Sequence, residues 1–81
     1  MAHAWFNHDD RVGRLDEIGN RHCVFHDYGE CPSLRPGQVP TTAAIGRRPK
    51  PRVIDLSFAE AEVMLLGEGW MPRPMRAPAM R

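Results

Sequence analysis

Apolar residues are scattered among polar ones on either side of Gly19-Asn20 between residues 11 and 28, and return at intervals of three and four between 58 and 70. The first pattern, two mixed runs about a turn dipeptide, predicts a hairpin of strands and the second a helix. In the strand region RVGRLDEI and RHCVFHDY flank Gly19-Asn20, a dipeptide that tolerates positive φ and suits a two-residue turn of primed type. Tight pairing through that turn sets Ile18 opposite Arg21, Glu17 opposite His22 and Leu15 opposite Val24. A shorter apolar run, Ala4-Trp5-Phe6, precedes the turn-prone Asn7-His8-Asp9-Asp10 and supplies a further strand.

Ser57 and Glu60 stand at capping-box spacing, so the helix should begin at Phe58 and run to about Leu66. Phe58, Ala61 and Leu65 share one face; Ala59, Val63, Leu66 and Trp70 line up beside it. Gly67 sits where a left-handed C-cap is expected. The preceding RVIDLS follows a proline, is rich in β-branched residues, and reads as a strand leading into the helix.

Eight prolines and seven glycines break the remainder unevenly. The segment from about 29 to 52 reads as an irregular Pro/Gly-rich loop in which no strand or helix survives well. Residues 71–81, MPRPMRAPAMR, read as a flexible basic Pro-rich tail. The predicted fold is therefore one small α+β domain over 1–70: an antiparallel hairpin or three-stranded meander, the long loop, then a strand leading into one amphipathic helix.

Composition adds a constraint of size. With 81 residues, of which about fifty fall in predicted elements, the chain is close to the lower limit at which a domain stands without staples, metal or association. Charge runs in blocks: residues 1–30 are acidic, 31–57 basic through Arg35, Arg47, Arg48, Lys50 and Arg52, 58–70 acidic, and the tail basic. Ten arginines accompany one lysine, the codon signature of a GC-rich genome and in keeping with a phage or bacterial accessory protein. No secretory signal and no membrane-length apolar run is visible, so the expected location is the cytoplasm, that of the host for a phage-encoded chain. Free thiols are expected there in preference to a Cys23–Cys31 disulfide.

Residues 21–31, RHCVFHDYGEC, hold the densest chemistry. Cys23, His26 and Cys31, with His8 or another histidine, make a candidate zinc set. A regular strand argues against it, because Cys23 then points to one face and His22 and His26 to the other, with those two histidines about 13 Å apart at ~3.3 Å per residue. The favoured reading places Cys23 and Phe25 in the core, the histidines on a wetter face, and no cofactor. No motif surrounds Cys23 as a nucleophile, so no enzymatic activity is expected.

Six aromatic residues are many for so small an interior. Trp5, Phe6, Tyr28 and Trp70, with Arg47, Arg48, Lys50 and Arg52, are accordingly the candidate partner-binding residues. The leading functional expectation is a non-enzymatic protein-binding module or inhibitor that modulates a larger protein or complex. Nucleic-acid binding through the basic 46–52 segment ranks second, and a small zinc module third. Homodimerisation is a further way to cover a thin core and unpaired strand edges.

Overall fold

The computed structural model describes residues 1–34, 38 and 40–73, and its first three strands are set by two tight turns. Strand β1 (His3–His8) turns through Asp9-Asp10 into β2 (Arg11–Gly19), which turns through Asn20-Arg21 into β3 (His22–Glu30). Asp9 and Arg21 each adopt φ of 55°, the left-handed geometry a two-residue turn demands. A short helix α1 (Thr42–Ile45), strand β4 (Lys50–Ile54), helix α2 (Phe58–Gly67) and strand β5 (Met71–Pro72) follow. The sheet is antiparallel throughout, in the order β4-β3-β2-β1-β5. This is a small α+β domain, a meander of strands with one helix packed on it.

The β2–β3 register departs from expectation by one residue. Leu15 faces Phe25 and Glu17 faces Cys23, because Ile18 bulges out of the ladder and the turn moves on to Asn20-Arg21. Burial chooses between the two registers, since a one-residue slip sends every side chain to the opposite face. The expected pairing would have turned Cys23 and Phe25 away from Leu15. The observed one buries all three with Phe6, Ile54, Trp70 and the Ala61 and Leu65 of α2. A second irregularity leaves Tyr28 unpaired between Val12↔Gly29 and Gly13↔Asp27. On the opposite face of the sheet Tyr28 joins Trp5, Val12 and Cys31, covered by Leu34 and Ile45.

At the centre of the first core the Phe25 ring lies on the backbone of Gly13. A methyl group placed there would stand 2.1 Å from Phe25 Cζ. The ring cannot retreat: it is 2% exposed and meets Phe6 and Trp70 edge to face, at centroid distances of 6.3 and 4.8 Å. Gly13 is therefore a packing requirement on the floor of the core.

Three further expectations need correction. Residues 29–52 contain the end of β3, α1 and the start of β4, since Pro51 is tolerated on an edge strand. The tail is anchored at its start: Met71 and Pro72 pair with Asn7 and Phe6, and the Arg73 N–H donates to Trp5 O at 2.8 Å, capping an edge that β1 would otherwise expose. The rest of the expected tail, 74–81, lies outside the described residues, as do loop residues 35–37 and 39. The C-cap is Glu68 in right-handed geometry, and the positive φ, 99°, falls at Gly69. A side chain at Gly69 would also stand 2.7 Å from His8 Nε2, so the chain can turn toward β1 only through a glycine here.

Gly13→Ala should lower stability by about 1–3 kcal/mol through overpacking. Gly67→Ala, in open space on the last helical turn, should raise it by about 0.4–1 kcal/mol. Urea unfolding of both variants checks the pair, and equal effects would contradict the packing assigned to Phe25.

Candidate functional site

The aromatic candidates are inside. Trp5 is 4% exposed, Phe6 0%, Tyr28 6% and Trp70 6%, which corrects the expectation that the rings remain on the surface. The reason is that the sheet carries a core on each face, so the interior holds more ring area than one core would. Trp70 returns to the sheet because its N–H donates to Leu65 O at 3.0 Å as α2 ends. Arg11 covers the Trp70 ring at 5.9 Å with His8 against its side, and Arg14 covers Trp5 at 5.5 Å. Cations thus seal both indoles.

The basic candidates divide into two groups. Arg52 shares a face with Ile54 through strand alternation and grips Glu68 with both guanidinium nitrogens, at 2.8 and 2.7 Å. That hydrogen-bonded pair lowers the Glu68 pKa and raises that of Arg52, and it straps β4 to α2. Arg47, Arg48 and Lys50 instead line a cavity of about 270 Å3 with Arg11, Asp27, Tyr28 and Gly29. Arg11 pairs there with Asp27. Its presence was not legible in the chain, because only the fold brings residue 11 to the segment 47–50.

The metal candidates are not brought together. Cys23 is buried on the helix face and donates to Leu56 O at 3.4 Å, and burial, then the nearby Glu17, push its thiol pKa up. His26 lies on the other face, where its Nδ1 comes within 3.2 Å of Asp16 Oδ2 without forming a hydrogen bond. Asp16 accepts instead from Arg14 Nε at 2.9 Å. His8 sits beside Trp70, and Cys31 packs with Trp5, Val12 and Tyr28. Among the described residues no three potential ligands cluster.

A second cavity, of about 220 Å3, is lined by Asn7, Cys31 and the buried Arg73 among others. Arg73 donates to Asn7 Oδ1 at 2.7 Å and to Gln38 O at 3.2 Å, and burial lowers its pKa. Those bonds fasten the chain after β5 to β1.

Met1, Ile18, Val53 and Met71 are exposed singly elsewhere in the chain, whereas one side of α2 exposes several apolar residues together. Ala61 and Leu65 fill the core, yet Ala59, Val63 and Leu66 point outward, Val63 being 68% and Leu66 44% exposed. Of the two stripes only that of Ala61 and Leu65 is buried, because Ala59, Val63 and Leu66 lie on the side of the ten-residue helix away from the sheet. Glu60 and Glu62 flank the outer stripe, and Glu68 follows it. The start of the helix is capped and tethered: Ser57 Oγ accepts from the Glu60 N–H at 3.2 Å, Glu60 Oε1 accepts from the Ser57 N–H at 3.1 Å, and Arg21 Nη1 donates to Glu60 Oε1 at 2.8 Å.

Comparison with known proteins finds no matching family, no matching curated protein and no matching solved structure.

The cap gives the helix a pH dependence of definite sign. The hydrogen bonds with Ser57, then the charge of Arg21, hold the Glu60 carboxyl below its ordinary pKa. Its stabilisation is thus complete above the usual carboxylate range and is lost as the pH falls through the lowered value. Glu60→Ala should melt lower than the parent at neutral pH, with the gap narrowing in acid. A gap that thermal melts show to be constant with pH would refute the assigned role.

Proposed function

We propose that the chain is a small non-enzymatic protein-binding module, a modulator or inhibitor of a larger protein, and that it docks through the outer stripe of α2. The observation that carries this reading is the exposure of Ala59, Val63 and Leu66 on a helix whose opposite stripe already fills the core. A helix apolar on two sides has one more surface to cover than its own domain covers.

The flanking charges define the partner. Glu60 and Glu62 flank the stripe, and with Glu60 taken up by Arg21 and Glu68 by Arg52, Glu62 is the carboxylate left to meet a cation, so the complementary surface is an apolar groove with a basic group at its rim, the helix-in-groove mode of recognition. The capping box and the Arg52–Glu68 and Arg21–Glu60 straps hold the helix in place before binding, which keeps the ordering cost of association low. The buried rings act indirectly, by fixing the sheet on which α2 rests.

A photo-crosslinking residue in place of Val63 should trap one partner in the native host, identified by mass spectrometry. The purified partner should then bind Val63→Asp/Leu66→Asp roughly 10- to 100-fold more weakly than the parent. Val53→Asp, an exposed position on the sheet, should bind as the parent does. Circular dichroism confirms that the variants are folded. A partner that binds the double variant undiminished, or a crosslink to a second copy of this chain alone, would overturn the reading.

A further inference from the structure

We infer that the cavity between the end of β3 and residues 47–50 is a binding site for a single phosphate group. Four cationic side chains, Arg11, Arg47, Arg48 and Lys50, converge on it, and the one carboxylate among its lining residues is Asp27. Asp27 is already engaged on both oxygens: Oδ2 pairs with Arg11, and Oδ1 accepts the Gly29 N–H at 2.9 Å. Among the described residues no carboxylate lies within ion-pair distance of Arg47, Arg48 or Lys50. The contact that Arg47 does make is a long one, from Nη1 to Tyr28 O at 3.5 Å.

Three like charges held around one space without counter-charge repel one another, and the arrangement is relieved by an anion of matching valence. The contrast with Arg52 is informative, because two residues along the same segment the fold supplies Glu68 at 2.7 Å. Guanidinium groups present paired N–H donors that match the oxygens of a phosphate, and a lysine ammonium adds a point charge. Pro49 and Pro51 limit the freedom of the chain that carries Arg48 and Lys50, so less entropy is lost when these side chains converge on a ligand.

Charge, more than size, selects the ligand: a depression of about 270 Å3 admits a phosphate dianion or the phosphoryl end of a small ester with room for water beside it. A nucleic-acid strand needs an extended basic track. The helix α2 instead carries Glu60, Glu62 and Glu68, and no residue of it lines the cavity. The site shares no residue with the outer stripe of α2, so it stands or falls independently of the docking surface.

Titration of the labelled protein with inorganic phosphate at constant ionic strength, followed by amide NMR, tests the assignment. Saturable shifts should centre on Gly29 and residues 47–50. Arg48→Ala/Lys50→Ala, both exposed positions, should weaken binding at least about tenfold. Arg52→Ala, whose charge is taken by Glu68, should leave it unchanged. Drift that sodium chloride reproduces, shifts centred elsewhere, or tight binding of a single-stranded oligonucleotide that free phosphate does not displace would each overturn the proposal.

Discussion

The seating of the Phe25 ring on the bare backbone of Gly13 organises this molecule. It fixes the β2–β3 register, because only with Leu15 opposite Phe25 do both residues and Cys23 point toward the helix. Phe6 and Trp70 then close on the ring edge to face. Trp70 reaches that position only if the chain doubles back after α2. Gly69 makes the reversal, and β5 is consequently delivered to the free edge of β1 with Arg73 locked behind it. One close approach in the middle of the sheet thus propagates to the ends of the described chain.

A two-sided core leaves few apolar side chains to act as anchors. On the helix face the rings are sealed by Arg11 and His8, and on the other face by Arg14 and the segment bearing Leu34 and Ile45. Cations serve as covers, as straps, or remain without a carboxylate, according to where strand alternation aims them. Arg52 faces α2 and meets Glu68. Arg48 and Lys50 edge a cavity in which the one carboxylate is occupied. The helix in turn offers its unburied stripe between carboxylates, and the two surfaces differ in both polarity and charge.

The elements defined by local chemistry were legible in the chain. The Ser57–Glu60 box marked the start of α2, RVIDLS marked β4, and the two mixed runs about Gly19-Asn20 marked β2 and β3. The Ala4-Trp5-Phe6 run lies within β1. What was not legible depended on contacts distant in sequence. Gly19-Asn20 is a good turn dipeptide, but the burial of Phe25 and Cys23 moved the turn by one residue. Nothing local in MPRPMR distinguishes a paired strand from an extended tail until the edge of β1 is in place. Six rings are too many for one small core, whereas Tyr28 steps out of the ladder and helps build a second. The basic segment was visible, but its division by facing direction, and the arrival of Arg11, are properties of the assembled sheet.

The central claim is that the free chain buries both indoles in its own two cores, which leaves the outer side of α2 as the proposed docking surface. Acrylamide quenching of tryptophan fluorescence in the isolated protein tests it most directly. Strong protection of Trp5 and Trp70, the same at low and high protein concentration and lost on unfolding, is the result predicted. Quenching close to that of free indole, or protection that appears only as concentration rises, would contradict it.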